Sequence, residues 1–281
     1  MTLRQALTIA TQQLAASDHL RVNAHRDAEL LLLHTLRIPR TTLLAHPNRK
    51  LSPTEESLYE SSLARRLKNE PIQYITGQQE FYGLTLKVTP AVLIPRPETE
   101  HLVEAVLHHL PKDRPTKIAD IGTGSGAIAI ALAVHLPKAQ ITALDLSLEA
   151  LKVAQANTET HNITNRITCL QSDLLGALPA NELFDAIVSN PPYIPESDRP
   201  TLHPEVRDHE PLTALFAGAE GLDIYRRLIP QAHALLKPNG LIALEIGHGQ
   251  REALTNLLSA WHAVHFVDDL QQIPRVALAV K

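Results

Sequence analysis

Cysteine is almost missing from this chain. Cys169 is the only one among 281 residues, so no internal disulfide can form, and a single thiol fits a reducing compartment. No apolar run reaches the 18 residues that a membrane-spanning helix needs. The 20 prolines never gather into a proline-rich tract, which excludes the usual signature of a disordered segment. An excess of positive charge is also lacking: the net charge is −4 and the pI about 6.4. Such a chain makes a poor general nucleic-acid binder, because that binding is driven by phosphate neutralisation, although a local basic patch stays open. The first residues, Met1-Thr2-Leu3-Arg4-Gln5, do not follow the charged-then-apolar layout of a signal peptide. A cytoplasmic protein is expected. No internal repeat or low-complexity segment stands out. What remains is 44% apolar and 20% charged, a soluble globular composition with length enough for two domains.

Residues 2 to about 70 read as helices. Leu3, Ala6, Leu7, Ala10 and Leu14 recur at helical spacing, as do Ala24, Ala28, Leu31, Leu32 and Leu36. Ser52-Pro53-Thr54-Glu55 is a capping box with proline at the first helical position, and the helix it starts carries Leu58, Tyr59 and Leu63. The expected organisation is a small helical bundle over residues 1–70, a hairpin linker over 71–95 and an α/β domain over 96–281. In the linker, Glu80–Lys87 is expected to pair with Val92–Ile94. Pro95-Arg96-Pro97-Glu98 then opens a helix through Leu110, with acids in its first turn where the dipole favours them.

From Thr116 onward strand and helix alternate. Strands are expected at Lys117–Ile121, Gln140–Leu144, Ile167–Gln171, Phe184–Ser189 and Leu241–Ile246. Helices are expected at Ser125–Leu136, Leu148–His161, Gly221–Leu236 and Arg251–Ser259. This alternation implies a parallel, doubly wound, Rossmann-like sheet. The last two strand-like runs, Ala263–Val267 and Val276–Val280, have no helix between them and suggest an antiparallel hairpin at one edge.

Asp120-Ile121-Gly122-Thr123-Gly124-Ser125-Gly126 follows the first strand of that sheet and opens its first helix. Glycines there let the backbone turn tightly and approach a ligand. Asp145 ends the second strand about twenty residues after Gly122, where an acid can accept hydrogen bonds from a ribose diol. Ser172-Asp173 follows the third strand, where a short acid can reach the exocyclic amine of a purine. Both NAD and S-adenosylmethionine suit this layout, since Gly122, Gly124 and Ala127 also satisfy the loose dinucleotide pattern. Asp120 favours the second, because a carboxylate beside the loop repels a pyrophosphate and can pair with a methionine ammonium.

The fourth strand stops at Ser189 and runs into Asn190-Pro191-Pro192-Tyr193. In a doubly wound sheet its C-terminal end faces the same crevice as the glycine loop. The prolines stiffen the turn and donate nothing, so the corner is rich in acceptors. The Asn190 side-chain oxygen and the Pro191 carbonyl match the two hydrogens of an –NH2 group, and Tyr193 can cover the planar group that carries them. Gripping both hydrogens would aim a delocalised nitrogen lone pair at a methyl donor. Fixed dipoles would then stabilise the cation that develops.

With the glycine loop, this corner resembles class I S-adenosylmethionine-dependent amino-methyltransferases, which modify adenine, guanine or glutamine amides. More narrowly, the chain is similar over nearly all its length to the peptide chain release factor N(5)-glutamine methyltransferases. The helical N-terminal domain resembles theirs, as do Pro71-Ile72-Gln73-Tyr74-Ile75-Thr76-Gly77, Phe81-Tyr82-Gly83 and Leu93-Ile94-Pro95-Arg96-Pro97-Glu98-Thr99-Glu100. Glu210-Pro211, Gly221-Leu222-Asp223 and Glu245-Ile246-Gly247 also fit. Gln271-Gln272-Ile273-Pro274-Arg275 departs from the Gly-x-x-Arg turn of relatives.

The resemblance implies S-adenosyl-L-methionine as cofactor, with S-adenosyl-L-homocysteine as product. Asp120, Gly122, Thr123, Gly124, Ser125, Gly126, Asp145, Asp173, Leu174 and Asn190 would lie about it. Leu174 stands where relatives often carry an aromatic beside the adenine. The implied substrate is the glutamine in the Gly-Gly-Gln loop of release factors, held by Asn190, Pro191, Pro192 and Tyr193, with Asn190, Pro191 and Tyr193 as catalytic residues. Release factors are the expected protein partner, of a monomer that binds no nucleic acid directly and no membrane. The alternative is a nucleic-acid amino-methyltransferase acting on adenine or guanine. A cofactor-binding subunit without turnover and an NAD oxidoreductase are further rivals.

Fifteen histidines invite a metal site. His108-His109 and His262 with His265 lack the cysteines or the helical His-Glu-x-x-His spacing of zinc ligands, so no metal is expected. Cys169 reads as a small core residue of strand three. Arg65-Arg66 with Lys68 reads as a solvated basic face, or as part of a docking surface for the protein partner.

Overall fold

The computed structural model describes residues 1–281. Its helices are α1 (Leu3–Ala15), α2 (Ala24–Leu36), α3 (Arg40–Ala45), α4 (Pro53–Arg66), α5 (Ile72–Thr76), α6 (Thr99–His109), α7 (Ala127–His135), α8 (Leu148–Thr160), α9 (Pro204–His209), α10 (Asp223–Leu235) and α11 (Arg251–Leu257). Its strands are β1 (Gln78–Phe81), β2 (Leu84–Lys87), β3 (Thr116–Ile121), β4 (Ala139–Asp145), β5 (Ile167–Gln171), β6 (Phe184–Ser189), β7 (Leu236–Glu245), β8 (His262–Asp268) and β9 (Pro274–Val280). No helix is long and apolar enough to cross a membrane. The chain forms two compact units. One is Met1–Gln78 with Thr201–His209, the other Gln79–Pro200 with Glu210–Lys281.

In the helical unit the starts of α1 and α4 are both capped reciprocally, only the second of them expected from the sequence. Thr2 Oγ1 accepts from Gln5 N at 3.3 Å while Gln5 Oε1 accepts from Thr2 N at 2.9 Å. Ser52 and Glu55 repeat the arrangement at the start of α4. The apolar stripes of α1, α2 and α4 meet in a core built on Leu3, Leu14, Leu31, Leu32, Tyr59 and Leu63. Tyr59 is wholly inside it and donates its hydroxyl proton to Ala28 O at 3.0 Å.

The solvated basic face is corrected at Arg66. Its guanidinium is buried against Asp27 at 2.8 Å and also bonds Glu205 of α9. Arg65 is paired with Glu70. Residues 201–209 thereby join the helical unit through contacts that no local pattern announces.

The second unit is a seven-stranded sheet in the order β5-β4-β3-β6-β7-β9-β8. The first five of these strands are parallel; β9 pairs antiparallel with both β7 and β8. Strand alternation divides the core between two faces. Ile118, Ala186, Val188, Leu241 and Ala243 face α6 and α7. Ala119, Ile121, Ile187, Ile242 and Leu244 face the side that Tyr225, Leu228 and Ile229 of α10 cover. α7 is apolar all round and is buried almost completely.

The expected hairpin is corrected: β1 pairs with β2 across the turn at Tyr82-Gly83, and residues 88–98 form no strand. Pro90, Pro95 and Pro97 cannot supply ladder hydrogen bonds, so Val92 and Ile94 are buried as an ordered loop. The helix expected from Pro95 begins only at Thr99.

Candidate active site

Strand β3 has β4 on one side and β6 on the other, so the order of connection reverses at its C-terminal end. That reversal opens a crevice in a doubly wound sheet. Here it is a cleft of about 610 Å³, walled by the loops after β3, β4, β5 and β6. Gly122, Thr123, Gly124, Ser125, Asp145, Asp173, Leu174, Asn190, Pro191 and Pro192 line it together.

Gly122 and Gly124 hold φ of +68° and +55°, which favour glycine. A Cβ on either would meet no protein atom closer than 4.0 Å, so the room beside them is that of the cleft itself. Gly126 is different: it does not line the cleft. A Cβ there would come within 3.3 Å of Ala154 and 3.2 Å of Ile130, so this glycine lets α7 approach α8. The loop is anchored from both sides. Asp145 Oδ2 accepts from Gly124 N and Oδ1 from Ser147 N, both at 2.9 Å. Each oxygen keeps a lone pair for a further donor. Burial raises the Asp145 pKa above the usual carboxylate value, against those two backbone hydrogen bonds. From behind, Asn157 on α8 donates to Ser125 O at 2.8 Å and to Lys87 O at 2.9 Å, and accepts from Lys87 N at 2.7 Å.

Asp120 lies beneath the loop, not in the cleft. It is completely buried, and its Oδ2 accepts from the Thr123 hydroxyl at 2.7 Å and from Ala129 N at 3.2 Å. Burial pushes its pKa up to about 7. Oδ2 thus folds the loop onto the head of α7, while Oδ1 is buried without a hydrogen-bond partner. Asp173 stands at the rim with its Oδ2 in an ion pair with Arg227 at 2.6 Å. Leu174 takes a left-handed φ of +52° beside it.

At the other wall, Asn190 donates from Nδ2 to the Thr99 hydroxyl at 3.0 Å. With one N–H turned to Thr99, the amide oxygen points the other way and is the acceptor that Asn190 offers. Neither that oxygen nor the Pro191 carbonyl accepts a hydrogen bond from this chain. Tyr193, expected as a cover for a planar group, does not itself line the cleft. The ring rests on Gly247, where a Cβ would sit 2.9 Å from Tyr193 Cδ2. Its hydroxyl donates to Glu245 Oε1 at 3.3 Å and its carbonyl accepts from Gln250 Nε2 at 3.0 Å. Burial first, then the charge of Glu245, raises the phenol pKa.

Glu245 closes β7 and is itself fully buried, which pushes its carboxyl up to about 7 against hydrogen bonds from Thr99 and Tyr193. Its Oε2 has no partner that meets hydrogen-bond geometry. Tyr225 donates to its backbone oxygen at 2.7 Å. A second buried acid, Glu210, accepts from Ile94 N and bonds Arg96. It thereby holds the Ile94–Glu100 run beside Pro211, which also lines the cleft.

Thr99, Asn157, Glu245 and Gln250 received no role from sequence. Thr99 and Glu245 stood inside quoted motifs, and that was the available signal. Asn157 and Gln250 had none.

Residues 5–77 match the PrmC N-terminal domain, and residues 99–203 the methyltransferase small domain. The release factor glutamine methyltransferase of Koribacter versatilis is 44% identical over 281 residues, covering 100% of this chain and 99% of that protein. The protein of the same name from Moorella thermoacetica is 48% identical over 92% of this chain and 90% of its own length. Among solved structures, the N-terminal domain of human METTL16 in complex with SAH shares the fold. Its TM-score is 0.51, at 20% identity over 70% of this chain and 76% of that one.

Proposed function

The chain belongs to the release factor glutamine methyltransferase family, and we propose that it methylates the side-chain amide nitrogen of the glutamine in the Gly-Gly-Gln motif of peptide chain release factors, with S-adenosyl-L-methionine as donor. The observation that carries this reading is the Asn190 amide. One of its N–H groups donates to Thr99, which fixes the amide so that its oxygen, unpaired within the chain, is offered to an –NH2 group, on the loop that shares a cleft with the glycine turn.

The residues suit the donor. The open space beside Gly122 and Gly124 admits a ligand against the backbone, and Asp145 keeps lone pairs for a diol. Gly122, Thr123, Gly124, Ser125 and Asp145 would hold it, with Leu174 flanking the base and Asp173 at the rim. When bound, the donor supplies an electrophilic methyl carbon on a sulfonium. The rest of the chemistry belongs to this chain. Asn190 Oδ1 and the Pro191 carbonyl grip both hydrogens of the glutamine nitrogen, which aims its lone pair and favours pyramidal geometry. The same two dipoles stabilise positive charge on that nitrogen as it reacts. Exclusion of water and fixed orientation contribute the rest. The methylated nitrogen is acidic enough to lose its proton to water, so no strong base is needed. The helical unit would take a second grip on the release factor, away from the reacting loop.

Mass spectrometry of a release factor treated with the protein and S-adenosyl-L-methionine tests this. One added methyl group on the Gly-Gly-Gln peptide is expected. Methyl label on nucleic acid, with none on release factor, would overturn the reading.

A further inference from the structure

Two buried groups near Asn190 are each half satisfied. The Thr99 hydroxyl accepts from Asn190 Nδ2, so its own proton still needs an acceptor. Glu245 Oε2 is buried without a geometric hydrogen-bond partner, while its Oε1 is taken by the Tyr193 hydroxyl. The Thr99 hydroxyl is also one of the groups that acts on the Glu245 carboxyl. Each supplies what the other lacks.

We propose that Glu245 is a positioning residue that sets, through Thr99, which end of the Asn190 amide is offered to the substrate. The proposal rests on the methyltransferase reading above. While Glu245 is ionised, a hydroxyl that donates to it turns its lone pairs the other way. Thr99 must then accept, Asn190 must donate to it from Nδ2, and Oδ1 is left for the –NH2 group. The flipped amide would need Thr99 to donate to Asn190 Oδ1, and Glu245 Oε2 would remain buried and unsatisfied. That penalty makes the flipped form rarer by on the order of tenfold or more. Without an acceptor at position 245, the bias reverses: the Thr99 proton is satisfied only by the flipped amide, which presents N–H groups to a substrate N–H.

The order of effects in a set of variants is therefore fixed. E245L lowers kcat by on the order of 10- to 100-fold with little change in affinity for S-adenosylhomocysteine. E245Q keeps one acceptor oxygen for two donors, so E245Q combined with Y193F, which leaves that oxygen to Thr99, recovers most of the rate that Y193F alone retains. T99V removes the relay without reversing it and costs less than E245L, and T99S keeps it. In the T99V background E245L adds only what the lost Tyr193 hydrogen bond costs, which Y193F measures by itself. A merely structural role for Glu245 would give additive losses.

A readout that does not depend on turnover is the nuclear Overhauser contact between the Asn190 Nδ2 protons and the Thr99 methyl. It should be present in the wild type and in E245Q with Y193F, and lost in E245L. An undiminished E245L effect in the T99V background, or the contact persisting in E245L, would overturn the proposal. A wild type that shows the contact but methylates no release factor would overturn the substrate reading instead, leaving the amide orientation standing.

Discussion

Two glycines beside Gln250 offer a controlled test of how firmly the Asn190-Pro191-Pro192-Tyr193 corner must be placed. Gly221 has φ +70° and Gly249 φ +80°, so alanine at either carries a similar left-handed penalty of about 1–2 kcal/mol. They differ in surroundings. A Cβ on Gly221 would lie 2.1 Å from the Tyr193 carbonyl oxygen and 2.9 Å from its carbon, whereas one on Gly249 meets nothing within 4 Å. Backbone must give way at Gly221, and the loop must move by on the order of 1 Å, a displacement that costs about 10²-fold where geometry governs rate. Gly221→Ala should therefore lower kcat by about that factor, while affinity for S-adenosylhomocysteine changes little because Gly221 does not line the cleft. Gly249→Ala should lose only the left-handed penalty of about 1–2 kcal/mol, less than Gly221→Ala, and keep a kcat close to that of the wild type. Single-turnover methylation of a release factor, titration calorimetry with S-adenosylhomocysteine and urea denaturation measure the three quantities. Equal kcat values for the two variants would show that the position of the corner does not limit the reaction.

Three further outcomes are expected. Asn190→Ala should slow methyl transfer by roughly 10²- to 10³-fold, with cofactor affinity falling less; a rate near wild type in the same assay would remove the residue from the mechanism. Asp120 has a folded-state pKa of about 7, raised by burial above the ordinary 3.8. Its contribution to stability is therefore full below pH 4 and is lost as pH rises towards 7 and beyond. Asp120→Asn should flatten the fall in unfolding free energy over that window, and an unchanged slope would reassign the pH dependence to other groups. Arg66→Ala would leave the buried Asp27 carboxylate uncompensated and should destabilise the helical unit by about 3–5 kcal/mol in denaturant melts. A loss under 1 kcal/mol would mean that the buried pair has no such role.

Much of this architecture was legible because its signals are local. The capping box at Ser52, the short apolar strands and the glycine turn each lie within a few consecutive residues. The residues that escaped are those whose roles come from meetings across the chain. Asn190 and Thr99 are 91 positions apart, Tyr193 and Glu245 are 52 apart, and Arg66 and Glu205 are 139 apart. Val92 and Ile94 misled for a different reason. Their apolar character is real and they are buried, but the flanking prolines deny them a ladder, so an apolar pattern is no guarantee of a strand. Asp120 shows the same limit at the site. Its spacing from the glycines was plain, whereas the direction of its carboxylate depended on Thr123 and Ala129.

The membership of Thr201–His209 in the helical unit changes what a truncated protein would be. The polypeptide passes between the units three times, near positions 78, 200 and 209, so one cut cannot free the sheet. A fragment beginning at Gln79 would retain α9 while losing Arg66 and Lys68, the partners of Glu205 and His209. It would carry a stranded helix a few residues upstream of Glu210, the acid that pins Ile94 and Arg96. Poor activity of such a fragment would say little about where the protein substrate docks. Point changes on the outer faces of α1 to α5 are the cleaner instrument.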